Sequence, residues 1–359
     1  MSTVPRSSSL EFLKQLLDTP GPSGFETAPA QVWRDEAETF AEEVSTDVSG
    51  NSFAAINTGG KPRIMLAGHI DEIGLMIVHV DDEGFLYFST IGGWDAQVLV
   101  GQRVVIVGKK GPVEGVIGKK SVHLLNSEER DQVTKLSSMW IDIGAKNKQD
   151  ALKRVRVGDP AVVACSALTL PNRRIASRSI DNRIGAYVVL EALKKLSARK
   201  PKAAVYAVAT AQEEIAWTGG GARTAAVGLE PDVAIVVDVT TATDHPSVEK
   251  KEHGDVKLGG GPVLSRGSAV NPMVFELLAD TADKEKIPYA LQAAPKDTST
   301  DADSIYTALR GIPTGLVSVP NRYMHSPNEM VDTADLERAA TLLAAFARRV
   351  TAKTDFTPR

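Results

Sequence analysis

The chain has 359 residues, 43% of them hydrophobic and 24% charged, with a formal net charge of −4 and a single cysteine. That length exceeds one ordinary core and suggests two domains, or one large domain with an insertion, in a chain of globular composition. The charge gives no basis for gripping nucleic acid or an anionic membrane, lone Cys165 excludes an internal disulfide and fits a reducing compartment, and no apolar run approaches bilayer length. Small molecules and peptides remain as partners. The segment Met1-Ser2-Thr3-Val4-Pro5-Arg6 lacks the apolar core of a signal peptide, so the expected location is cytoplasmic.

In chain order, Ser8-Ser9-Leu10-Glu11 has capping-box spacing, and Leu10, Leu13, Leu16 and Leu17 mark one face of a first helix. The turn-rich run Thr19 to Gly24 stops it. A second helix is expected from about Ala28 to Glu43, then extended chain from Val44 to Asn57. Arg63 to Gly68 reads as a short buried strand that delivers His69, with Asp71 two residues on. A single histidine after a strand is ordinarily a hydrogen-bonded structural residue. Asp71 changes that reading, because a carboxylate that takes the other ring N–H orients a ligating imidazole.

From about Leu75 to Cys165 the texture changes to short β-rich runs separated by turn chemistry such as Asp82-Glu83-Gly84 and Gly108-Lys109-Lys110-Gly111. This stretch is expected to be a small β-barrel inserted into an α/β domain. Within it, Cys165 reads as a small buried apolar residue, Gly92-Gly93-Trp94 as loop packing and His123 as a surface histidine.

The α/β pattern resumes at Ser177 to Arg183, which leads into a helix with Ile184, Val188, Leu190, Leu193 and Leu196 facing inward. Asp181, just before that helix, is by default an N-cap. Ala203 to Gln212 is a run of small and β-branched residues that suits a strand buried on both faces, and it ends in Glu213 and Glu214. Adjacent strand residues point opposite ways, so the two carboxylates are expected to play different parts. The Gly219-Gly220-Gly221 cluster that follows is not a phosphate loop: two glutamates precede it, and neither G-x-G-x-x-G nor a G-K-[ST] ending is present. Pro231 to Asp238 is another buried strand ending in a carboxylate. A helix from Pro272 to Lys286, a second opening at Asp301, a last sheet strand from Gly311 to Pro320, His325 just beyond it, and a helix from Ala334 to Ala352 complete the chain.

His69, Asp181, Glu214, Asp238 and His325 each follow an expected strand or precede a helix, so one sheet edge would gather them, at the usual place for chemistry in such folds. Two imidazoles and three carboxylates suit a pair of cations sharing a bridging carboxylate, and nitrogen and oxygen donors with room for water favour Zn²⁺ or Co²⁺ over Mg²⁺ or Ca²⁺. Two such ions about 3.5–4 Å apart can polarise a carbonyl and lower the pKa of a shared water towards 7. Glu213 remains free to take that water's proton and hand it to the leaving amine.

Leu66-Ala67-Gly68-His69-Ile70-Asp71-Glu72-Ile73-Gly74, Ser179-Ile180-Asp181-Asn182-Arg183, Thr210-Ala211-Gln212-Glu213-Glu214 and Arg322-Tyr323-Met324-His325-Ser326-Pro327 together resemble the M42 family of dinuclear metallo-aminopeptidases. The resemblance runs from the first helix to the last. It implies an α/β/α sandwich with a mixed, largely parallel sheet of the phosphorylase/hydrolase-like metallopeptidase type, divided as 1–73 and 167–359 around an inserted β-rich dimerisation domain, 74–166. It implies that His69 and Asp238 hold one metal, Glu214 and His325 the other, and that Asp181 bridges them. Glu213 would be the general base and Asp71 the carboxylate behind His69. Dimers would assemble further, commonly into a hollow tetrahedral dodecamer that admits only peptides.

The expected activity is removal of N-terminal residues from short peptides. A deacylase acting on amino acid derivatives is the alternative, since the same site cleaves any suitable amide. A glycoside hydrolase is disfavoured, because aromatic content is only 5% and such an enzyme has no need of His69 and His325. Ile215-Ala216-Trp217-Thr218 and Ser299-Thr300-Asp301-Ala302 depart from the family's pattern, at positions that bear on substrate preference.

Overall fold

A computed structural model describes residues 9–216 and 220–358. Short apolar runs become strands wherever they can be covered on both faces. Edge strands β1 (Glu43–Thr46) and β2 (Ser52–Ile56) lead to β3 (Arg63–His69), which is buried from Ile64 onward. The chain then leaves for β4 (Gly74–Val80), β5 (Leu86–Ile91), β6 (Arg103–Gly108), β7 (Gly111–Lys119), β8 (Met139–Asp142) and β9 (Pro160–Val163). These close into a barrel in the order β4-β5-β8-β7-β6-β9, around a core of its own that includes Leu75, Ile77, Val104, Ile106 and Ile141. Closure leaves this antiparallel unit without unpaired edges.

The chain returns through β10 (Leu168–Leu170) and β11 (Arg174–Ser177), a small sheet completed much later by β17 (Glu329–Asp332). The main sheet gains β12 (Ala204–Thr210), β13 (Val233–Thr241), β14 (Val263–Gly267), β15 (Ala290–Ala294) and β16 (Thr314–Asn321). Its order is β1-β2-β12-β3-β13-β16-β14-β15. The four central strands β12, β3, β13 and β16 are mutually parallel, whereas β2 and β14 run against their central neighbours. The fold is therefore an α/β/α sandwich with a mixed, largely parallel sheet and an inserted barrel.

Helix Ile180–Ser197 lies across β3, β12 and β13 and packs against helix Thr333–Arg349, while helices Gly220–Leu229 and Asp301–Tyr306 cover the other face. The expected inward residues Ile184, Val188, Leu190, Leu193 and Leu196 are all fully buried. Helix and strand meet through glycines: a Cβ at Gly68 would stand 2.4 Å from the carbonyl carbon of Gly185. That absence of side chains lets the helix settle directly on the strand that carries His69.

Several expectations are corrected. The second helix is Thr27–Ala37 and ends before Glu43, because Glu43 is taken up by the edge strand, paired with Ala55. β13 does not stop at Asp238 but continues to Thr241, because β16 keeps pairing it after β3 has ended its own pairing at Val236. β14 and β15 were not anticipated. Cys165 is only half-buried, and its thiol donates to the Pro327 carbonyl at 3.3 Å. Ser8 and Trp217 lie outside the described residues. Among those described, no helix is long and apolar enough to cross a membrane.

Candidate active site

His69 is the last residue of β3, and in the parallel register it stands beside Thr210, the last residue of β12. Beyond Thr210 the chain turns, with Gln212 in the left-handed region at φ +61°. Glu213 and Glu214 therefore sit on a turn and not on a strand, and the expected strand alternation does not apply to them. Their direction is set instead by buried Asp71, whose two carboxylate oxygens accept the N–H groups of Glu213 and Glu214 at 3.1 Å each.

Asp181 follows β11 and lies in the first turn of helix Ile180–Ser197 with non-helical backbone angles; the Asp181–Asn182 peptide is cis. It is not the N-cap. Ser179 holds that position, and the Asp181 side chain is turned towards the imidazoles. Its backbone N–H donates to Glu329 Oε2 at 2.9 Å, and that of His325 donates to Glu329 Oε1 at 2.8 Å. One buried carboxylate thus aligns two distant segments.

The side chains converge. Asp181 Oδ1 is 3.3 Å from His69 Nε2, and Asp181 Oδ2 is 3.3 Å from His325 Nε2. His325 Nε2 is also 3.5 Å from Glu214 Oε2, and His69 Nε2 is 3.7 Å from Glu213 Oε2. On the far side of its ring, His69 Nδ1 lies 3.2 Å from Asp71 Oδ1, within ion-pair distance but outside hydrogen-bond geometry. Donor atoms of His69, Glu213 and Asp238 fall within 4.8 Å of one another, as do those of His69, Asp181 and Glu214. His69, Asp71, Asp181, Glu213, Glu214, Asp238 and His325 are all brought into one cluster.

Burial makes that cluster electrostatically costly. Desolvation, reinforced by Asp238 and Asp301 against the pull of His69, pushes the Glu213 carboxyl up to about 10. Asp238 is raised well above the usual carboxylate range by burial and by Asp181, and Glu214 is raised by burial. Burial alone would also raise Asp181, but its contacts with His325 and His69 outweigh that and hold it low. The imidazoles respond in kind. Contacts with Asp181 and Glu214 raise His325 to about 11, while Asp71 and Glu213 overcome the burial of His69 and raise it as well.

Acids that can stay ionised only at great cost, converging with two imidazoles around a shared carboxylate, are a donor set suited to cations. Glu214 Oε1, buried and without a hydrogen-bond partner among the described residues, fits the same reading. Nitrogen and oxygen donors without sulfur suit Zn²⁺ or Co²⁺.

Residues that sequence reasoning left without a role complete the surroundings. Glu329 is buried, and burial together with Asp181 raises its carboxyl well above the usual range. Glu72 accepts from Arg178, from Arg183 at 2.9 Å and from the Gly21 N–H at 3.0 Å, locking the loop after His69 to the turn that follows the first helix. Asp301 accepts from Thr210 Oγ1 at 2.5 Å, and burial raises it to about 6. Glu26, also buried, is raised by burial and by Asp71 to about 7. Gly92 and Gly93 are more than loop packing: a Cβ at Gly93 would be 3.3 Å from His325 Nδ1, and one at Gly92 would be 3.4 Å from Glu214 Oε2. The barrel thereby contributes a wall to the site. His123 is exposed, as expected. Glu213 and Glu214 open onto a cavity of about 880 Å³ bounded on its far side by Ser299, Thr300, Asp301 and Ser304. A second cavity, of about 800 Å³, lies by the opposite strand ends near Lys61, Asp232 and the C-terminal segment, and has no histidine in its walls.

Fold and site together define a hydrolase of the aminopeptidase class. The family model for M42 glutamyl aminopeptidases matches residues 50–342, and the chain belongs to that family. It is 33% identical to a lysyl aminopeptidase of Pyrococcus furiosus, over 97% of this chain and 99% of that protein. Among solved structures, a TET aminopeptidase from a marine sediment Thaumarchaeota archaeon superposes with a TM-score of 0.91 at 34% identity, covering 96% of this chain and 97% of that one. The Pyrococcus horikoshii TET1 peptidase, which can assemble into a tetrahedron or a large octahedral shell, superposes with a TM-score of 0.84 at 31% identity, covering 96% and 100%.

Proposed function

We propose that this M42 aminopeptidase is a dinuclear metalloenzyme that removes N-terminal residues from short peptides, with Glu213 as general base. The observation that carries this reading is the placement of Asp181, whose two oxygens each face a different imidazole at 3.3 Å. In the proposed assignment His69 and Asp238 hold one ion, His325 and Glu214 the other, and Asp181 spans both; Zn²⁺ or Co²⁺ suits these donors. When bound, two such cations supply Lewis acidity to the scissile carbonyl and acidify the attacking water.

The chain's own groups do the rest. Glu213, beside His69 and at the cavity edge, takes a proton from the attacking water and delivers it to the departing amine nitrogen. Asp71 holds the His69 ring from behind and suspends the turn that carries Glu213. Glu329 keeps Asp181 and His325 in mutual register through their main-chain N–H groups. Burial of these groups excludes competing water and strengthens each interaction.

Within this reading, the protein acts in the cytoplasm, its barrel pairs two protomers, and dimers assemble into a tetrahedral dodecamer. The resemblance to shell-forming TET peptidases supports that last step. The test is chelation, reconstitution with Zn²⁺ or Co²⁺, and hydrolysis of a panel of aminoacyl amides with metal counted in the same sample. Two ions per chain and cleavage confined to substrates with a free amino terminus are expected. One ion per chain would remove the dinuclear assignment, and cleavage of N-acyl amino acids in place of peptides would make the protein a deacylase.

A further inference from the structure

The turn that carries Glu213 and Glu214 is suspended in an unusual way. Its consecutive N–H groups donate to side chains, not to backbone carbonyls: Ala211 to Asn51 Oδ1 at 3.0 Å, Gln212 to Glu26 Oε1 at 3.1 Å, and Glu213 and Glu214 to Asp71 at 3.1 Å. Most main-chain donors pair with main-chain acceptors, so four successive N–H groups given to buried side chains tie this turn to distant parts of the fold, beside the main-chain bonds its Ala211 and Glu213 carbonyls accept. Asn51 also binds Asp47, Gly221 and Thr224, and Asp71 also faces His69. Glu26 has no such second duty at the site. Its Oε1 takes the N–H groups of Gln212 and, at 2.6 Å, of Gly24.

Glu26 occupies the N-cap position of helix Thr27–Ala37, yet its side chain makes no capping bond to that helix. A cap would ordinarily satisfy the helix's own free N–H groups. Here the carboxylate turns away from them and reaches a residue 186 positions later, one that holds a left-handed φ of +61°. A non-glycine residue in that region is strained and persists only where its surroundings impose it. The Gln212 N–H is therefore the point at which a restraint matters most, because relaxation there would swing the next residue, Glu213.

We propose that Glu26 is a positioning residue for peptide hydrolysis: by capturing the Gln212 N–H it fixes the left-handed turn that aims Glu213. The proposal rests on Glu213 being the base. A displacement of the base by about 1 Å is enough to lower turnover on the order of 100-fold.

The test uses full-length, metal-reconstituted protein carrying Glu26→Ala, Glu26→Gln, Glu213→Gln, or Glu26→Ala combined with Glu213→Gln. Glu26→Ala is expected to lower kcat at least about 30-fold, with KM and metal content within about twofold of the parent. Glu26→Gln, which keeps an acceptor oxygen, should recover kcat to within about threefold. In the Glu213→Gln background, Glu26→Ala should change kcat less than about twofold, because its effect acts through a base that is no longer there. An unimpaired Glu26→Ala, a loss that only tracks metal or folded protein, or effects that multiply in the double variant would each overturn the proposal. Should Glu26→Ala fail to fold, Glu26→Asp carries the test, since it keeps the charge and shortens the reach, and it must show the same kcat loss. An active Glu213→Gln would remove the base assignment itself, whereas an inactive Glu213→Gln beside an active Glu26→Ala would remove only the positioning role.

Discussion

Replacing Glu213 by glutamine should raise the stability of the metal-free protein while nearly abolishing turnover, and the two effects have a common origin. In the metal-free protein, burial holds the Glu213 carboxyl protonated up to about 10, against 4.5 for the free side chain. The unfolded chain releases that proton at 4.5, so between 4.5 and about 10 the folded state binds more protons and loses stability as pH rises. At about 1.4 kcal/mol per pH unit, the penalty at pH 7 is on the order of 3 kcal/mol. Glutamine has nearly the same shape and no proton to hold, so it escapes the penalty. Denaturant unfolding of chelated samples should show little difference between the two proteins near pH 4.5 and a growing advantage for Glu213→Gln towards pH 8. In the metal-loaded enzyme, loss of a general base should lower kcat by about 10²–10⁴-fold, with metal content unchanged. A variant that is less stable without metal at pH 8, or that loses its metal, would refute this reasoning and make Glu213 a ligand.

Other outcomes are expected. Because His325 is raised to about 11 by Asp181 and Glu214, its charge stabilises the metal-free fold fully below 6.5 and that contribution fades as pH rises through about 11; cations must displace the proton. Metal uptake near neutral pH should therefore release protons and weaken on acidification, and calorimetry in buffers of different ionisation enthalpy that finds no release would contradict the assignment. Gly68→Ala, which would push a methyl group to 2.4 Å from the Gly185 carbonyl carbon, should cost about 1–3 kcal/mol, read as a lowered urea midpoint. Glu329→Gln puts an NH₂ group where an oxygen now accepts from Asp181 or His325, leaving a buried N–H unpaired. It should cost about 1–3 kcal/mol in stability and weaken metal affinity about 10–100-fold, checked by unfolding and by competition with a chromogenic chelator.

What could be read in the sequence follows a physical divide. Runs such as Ile64-Met65-Leu66-Ala67 and Val205 to Ala209 are apolar because both faces are covered, so a histidine or glutamate soon after them marks a strand end. That signal located His69, Glu213 and Glu214. It misled at Asp238, where the chain turns polar while pairing with β16 continues to Thr241. Glu26 and Glu329 were invisible for a different reason. They act on main-chain N–H groups, which every residue except proline possesses, so no spacing or partner residue type betrays them. The glycines at 92 and 93 were equally mute, since a glycine that makes room for an imidazole looks like one that makes a turn.

The barrel starts and finishes at one spot: its first strand pairs with its last, Leu75 with Ala161 and Met76 with Pro160. A unit hinged at so narrow a neck could be exchanged for another without disturbing the order of the main sheet. Its Gly92–Gly93 stretch lies over His325 and Glu214, and its Trp94 and Val163 line a small recess beside Asp181 and Glu329. A tilt of the whole appendage would therefore reshape the wall that His325 Nδ1 and Glu214 Oε2 face.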